Sequence, residues 1–169
     1  GWAISSYRCD IESCTFINHP NECISQSSGT VRNCIFKDNW GSAVHSSVAD
    51  ADTAYGLLIE NCYAGNTNTK NNGHDEGVIT FSQKSRNIRV RDCVFDNTSG
   101  TRGQGVFGSL SAQNSVDNDG NFQASGVKAS NFNSILTVST NGSTLDFDNV
   151  SLENCIFDNC RALVFGGAS

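Results

Sequence analysis

Hydrophobic residues recur along this chain in short runs that alternate with polar ones, break at a single polar residue, and restart. Ile88 and Val90 alternate with Arg89 and Arg91, Asp92 interrupts, and Cys93 and Phe95 resume the pattern. Period two is the signature of a half-buried strand. A polar residue at the break fits a sharp corner, because Asn and Asp tolerate the left-handed backbone that such a corner needs. No stretch keeps a helical spacing.

The same phrase returns down the chain. One column reads Cys14, Cys34, Cys62, Cys93 and Cys155; two residues on it reads Phe16, Phe36, Ala64, Phe95 and Phe157. The residue before each Cys is Ser13, Asn33, Asn61, Asp92 and Asn154. A sixth, degenerate copy is read in Val127–Phe132, with Ser130 in the Cys place and Phe132 in the Phe place. A further short strand follows each copy: Ala3-Ile4, Cys23-Ile24, Ala43-Val44, Val78-Ile79, Val106-Phe107, Ile135-Leu136 and Leu163-Val164. Self-similarity at a step of about 20 to 37 residues is the mark of a solenoid. Three short strands and three corners per copy, stacked at about 4.8 Å, predict an all-β, parallel β-helix of about five to six coils. The columns would then hold Phe in the interior and Asn ladders at the corners. An antiparallel sandwich would need hairpin turns between successive strands, and the short links here are single bends.

These residues resemble the pectin-lyase-like right-handed parallel β-helix superfamily. Phe36-Lys37-Asp38-Asn39 followed by Gly41-Ser42-Ala43-Val44 is similar to the FxxN and GGA[ILV] repeats of chlamydial polymorphic outer-membrane proteins. Phe157-Asp158-Asn159 with Gly166-Gly167-Ala168 is a stretched version, and Phe16-Ile17-Asn18 and Phe95-Asp96-Asn97 are one residue short. The resemblance implies a right-handed solenoid with an extracellular or cell-surface role, structural or adhesive. The chain opens at Gly-Trp-Ala-Ile and stops at Gly-Gly-Ala-Ser, one phase of the coil. The expectation is therefore a single module over 1–169 with uncapped ends, either cut from a longer solenoid or stacking on copies of itself into a filament.

Composition narrows the function. A formal charge of −6 with no basic run gives nucleic acid no electrostatic purchase. No apolar run is long enough to span a bilayer, so no transmembrane segment is expected. Eight Cys leave two readings open, disulfides or buried thiols; the column register favours buried thiols, with Cys9 and Cys160 the candidates for oxidation.

No cofactor is expected. The candidate chemistry lies in the links. His74, Asp75 and Glu76 form the densest ionisable cluster, a catalytic alternative for acid–base work on a glycan. Asp117 and Asp119, before Gly120, resemble the start of a calcium loop but lack its distal Glu; Asp50 and Asp52 fall at the same corner. Trp2 and Trp40 are candidates for stacking on surface glycans. The acids Asp10, Glu12, Glu60 and Glu153 alternate with Arg32, Arg89, Arg91 and Lys128, which reads as pairing between coils rather than a catalytic cluster. The polygalacturonase and pectate-lyase signatures are absent. The main rival to a structural role is a carbohydrate-active enzyme (polysaccharide lyase or glycoside hydrolase) or a tailspike-like glycan binder.

Overall fold

The computed structural model describes residues 1–46, 56–69, 77–81, 87–98, 103–109, 121–139 and 149–167. Among them every regular element is a strand and every pairing is parallel. A 6-stranded sheet stacks β2 (Thr15–Ile17), β4 (Ile35–Lys37), β7 (Tyr63–Gly65), β10 (Val94–Asp96), β13 (Lys128–Ser130) and β16 (Ile156–Asp158). An 11-stranded sheet is folded into two arms. Its long strands β1 (Ile4–Glu12) and β3 (Ile24–Arg32) run through both. The first half of β3 leads to β5 (Val44–Ser46), β8 (Ile79–Phe81), β11 (Gly103–Ser109), β14 (Phe132–Ser139) and β17 (Ala162–Gly167). Its second half leads to β6 (Leu57–Glu60), β9 (Ile88–Arg91), β12 (Asn121–Ser125) and β15 (Asn149–Glu153). The result is a set of curled parallel sheets, solenoid-like in connectivity.

The corners explain how a chain of short strands turns so often. Between the second arm and the 6-stranded sheet stand Ser13, Asn33, Asn61, Asp92, Gly126 and Asn154, all at φ between 50° and 65°. After the 6-stranded sheet stand Asn18, Asp38, Asn66, Asn131 and Asn159, at φ between 48° and 63°. Each N–H at the first corner donates to the carbonyl of the next rung: Asn33 to Glu60 at 3.1 Å, Asn61 to Arg91 at 3.0 Å, Gly126 to Glu153 at 3.0 Å. The expected side-chain ladders are present too. Asn61 Nδ2 donates to Asn33 Oδ1 at 2.7 Å, and Asn159 Nδ2 to Asn131 Oδ1 at 2.7 Å. Corner amides are thus satisfied although no strand covers them.

Registers place Phe16, Phe36, Ala64, Phe95, Ala129 and Phe157 on one inner wall. Phe16 and Phe36 stack at 5.1 Å with rings 7° from parallel. The third-strand column is likewise as expected: Ile4, Ile24, Val44, Ile79, Phe107, Leu136 and Val164 share one register. The degenerate copy is corrected. Val127, not Ser130, holds the Cys place, and Ala129, not Phe132, holds the Phe place. Gly126 supplies the left-handed corner, three residues before Ala129, the corner that Ser130 in the Cys place implied. Bulk returns from other walls. Phe107 meets Phe95 edge-on at 6.4 Å and Phe122 at 4.9 Å, filling the volume that Ala129 leaves.

The shortened copy at Phe95 also has a physical account. Asn97 follows Phe95 by two residues with no left-handed residue between them, and its side chain is buried. Its Oδ1 accepts from the Thr67 N–H at 3.0 Å, as Asn39 Oδ1 accepts from the His19 N–H at 2.8 Å. An Asn one residue early therefore serves the same inner ladder.

Candidate functional site

The sequence-derived catalytic alternative (His74, Asp75, Glu76) and the calcium alternative (Asp117, Asp119, with Asp50 and Asp52) lie outside the described residues. Trp2 and Trp40 are both about half exposed on the surface. Of the acids of the outer face, Glu12 and Glu60 follow the pairing reading. One outward column runs Glu12, Arg32, Glu60, Arg91, Ser125, Glu153. Charge alternates on four successive rungs, and Arg32 Nη2 lies 3.2 Å from Glu12 Oε2. Asn33 Nδ2 adds a bond to the other Glu12 oxygen at 3.3 Å. The pair is half exposed, so its worth is about 0–1 kcal/mol. Glu12 and Glu60 stand beside cations, whereas Asp10 and Glu153 have Thr30 and Ser125 as register partners.

The most enclosed ionisable pair was not legible as a motif. Glu22 stands just before β3, one residue ahead of Cys23; His45 is the middle residue of β5. Glu22 Oε1 lies 3.0 Å from His45 Nδ1, with side chains only 13 and 11 % exposed. Ser42 and Thr80 repeat the relation one rung on: their hydroxyl oxygens are 2.5 Å apart, one donating to the other, and the Gly77 carbonyl, 2.7 Å from Ser42 Oγ and 3.0 Å from Thr80 Oγ1, accepts the remaining proton. Each corner residue thus reaches up to the outward side chain of the next rung. The signal was available once the columns were set, because Glu22 precedes Cys23 as Ser42 precedes Ala43. The carboxylate holds the Nδ1 proton and fixes the ring. Nε2 is buried and has no hydrogen-bond partner. An imidazole held this way can accept a proton or bind a metal through Nε2. A metal would need further donors, and among the described residues no three His, Cys, Asp or Glu side chains gather for one.

All eight cysteines are free thiols. Cys34, Cys62 and Cys93 are buried in the column beside the first corner. Each donates to carbonyl oxygens, Cys93 to Arg91 at 3.1 Å and Cys34 to Arg32 at 3.3 Å. Cys23 is buried as expected. Cys9 is no stray. It faces inward in register with Gly29 and donates to Gln26 Oε1 at 3.0 Å, and Cys160 is half-buried. The Cys93 thiol is pushed far above the usual thiol range, first by its hydrogen bond with Cys62 and then by burial, while the same bond lowers Cys62, so that burial is what the pair adds net. Burial raises Cys34 as well. Both groups favour the neutral thiol in the folded state. Their stabilisation is whole below the unfolded value of 9.0 and is lost as pH rises above it toward the folded values. Urea midpoints are therefore expected to fall as the pH rises from about 8.5 to about 10.5, and Cys34, Cys62 and Cys93 to react with a thiol reagent only after unfolding. A flat alkaline profile, or full reaction in the native state, would contradict the buried column.

Compared with known protein families, curated proteins and solved structures, the chain matches none. No helix among the described residues is long and apolar enough to cross a membrane.

Proposed function

We propose that the chain is one right-handed parallel β-helix module of about five to six coils, extracellular or at a cell surface, with a structural or adhesive role. The observation that carries this reading is the state of the two rims. Cys34 and Phe36 are buried, whereas their column mates Cys14 and Phe16 at one rim, and Cys155 and Phe157 at the other, are only half-buried. Each rim therefore presents core side chains and an unpaired strand edge, the surface that further β-helix coils or copies of the chain would cover. The alternating charge column on the outer face adds support, since among the described residues its carboxylates stand on separate rungs and do not converge.

A second reading, a carbohydrate-active β-helix enzyme or a tailspike-like glycan binder, draws on the Glu22–His45 pair. Its Nε2 has no hydrogen-bond partner among the described residues, as a general base requires, and it is buried, so a substrate would have to displace what covers it. A polysaccharide panel read for reducing ends and unsaturated products separates the two. The structural reading expects binding at most and no cleavage, with the Glu22→Gln variant indistinguishable from the parent. Turnover that disappears in His45→Gln would replace it with the enzymatic one.

A further inference from the structure

The outer face of the 6-stranded sheet differs from the charged face in one respect. Its two outward columns read Thr15, Ile35, Tyr63, Val94, Lys128, Ile156 and Ile17, Lys37, Gly65, Asp96, Ser130, Asp158. Ile35, Tyr63 and Val94 stand on successive rungs and are 44, 40 and 38 % exposed. Beside them Gly65 has no side chain, and the Tyr63 ring lies over it. A Cβ at Gly65 would fall 2.6 Å from the Tyr63 hydroxyl oxygen and 2.9 Å from a ring carbon. The centre of the face is therefore flat and apolar.

Lys37 and Asp96 flank that centre, one rung to either side of Gly65. On the other face opposite charges occupy adjacent rungs and meet. Here the glycine holds them two rungs apart, about 9.6 Å at strand spacing. Neither has an ion pair among the described residues; the Asp96 carboxylate accepts the Ser130 hydroxyl, at 2.5 Å. A cation and an anion set symmetrically about an apolar centre make a patch complementary to itself.

We propose that this face is a dimer interface whose occupant is the same face of a second copy. The two-fold axis lies along the strand direction at the level of β7. That operation sets Tyr63 on Tyr63, Ile35 on Val94 and Lys37 on Asp96, with the last two contacts occurring twice. Strand directions stay aligned and the sheets lie about 10 Å apart, the ordinary geometry of sheet-on-sheet packing. The proposal stands apart from the rim reading. Face-to-face pairing closes at two copies, whereas contact through the rims would continue to grow.

Sedimentation equilibrium on the whole chain, from about 10 μM to about 1 mM at low salt, tests it. The parent is expected to reach a dimer and stop there, and to loosen as salt is added. K37D and D96K, both at exposed positions, are each expected to keep the parent's melting temperature and to raise the dimer dissociation constant at least about tenfold. An equimolar mixture of the two variants is expected to regain the dimer, since each copy supplies the charge the other lacks. A parent that remains monomeric at the highest concentration overturns the proposal. So does a parent that grows past two, a dimer indifferent to both reversals, or a mixture that stays dissociated.

Discussion

Phe95→Ala is expected to destabilise the fold by about 3–5 kcal/mol, at the upper end of what a buried Phe truncation costs. The reason is its place in the column. Phe95 is buried between Ala64 and Ala129, its register mates on the rungs either side. Truncation would put three alanines on consecutive rungs, with no larger side chain on either adjacent rung of the column to relax into the space. Phe107, edge-on at 6.4 Å, would lose its partner as well. Phe16→Ala makes the contrast. Phe16 is already half-buried at a rim and rests on Phe36 from one side, so its loss is expected to be less than half as large. Urea titrations of both variants at neutral pH check this; a Phe95→Ala loss below about 1 kcal/mol would remove that ring from the interior.

Gly29→Ala is expected to cost as much, about 3–5 kcal/mol, by combining backbone strain with overpacking. Gly29 is where β3 passes from one arm of the large sheet to the other. Its φ is 106°, a conformation that L side chains rarely adopt. A Cβ built there would stand 2.2 Å from the Cys9 carbonyl oxygen and 3.0 Å from its carbon. The obstruction is backbone in a paired strand, so no rotamer change relieves it. Cys9 and Gly29 are register partners, and moving either would part β1 from β3. The expected result is a chain that unfolds at much lower urea, with β1 amides losing hydrogen-exchange protection first. An unchanged midpoint would mean that the arms are joined differently at this point.

The fold was readable wherever a column kept its residue type. Cys at five places and Phe at four fixed the register, and the small third strand fell into line without exception. The reading slipped where residue type and position parted. At Ser125-Gly126-Val127 the corner is a glycine and the column holds Val and Ala, so the nearby Asn131-Phe132 looked like a better copy of the phrase. Physically Gly and Asn are equivalent there, because both reach the left-handed region. The site was harder to see. Glu22 and His45 are 23 residues apart and belong to no motif; what joins them is the offset between a corner and the next rung. Such a contact becomes visible only after the register is known. The same holds for the unmatched charges beside Gly65, which look ordinary in the sequence and acquire meaning from the rung that separates them.

The long strands β1 and β3 carry a consequence for how this architecture takes on new sequence. In β3 the passage between the two arms is made inside one continuous strand. In the next repeat β5 stops at Ser46 and β6 begins at Leu57, yet Val44 still pairs with Ile24 and Leu57 with Gly29. The number of residues spent at this edge is therefore uncoupled from the ladder on either side of it. Lengthening a link costs only about 0.6 kcal/mol per doubling. The edge is accordingly a grafting position, where segments of unrelated length and chemistry can be exchanged while the stacked walls remain as they are.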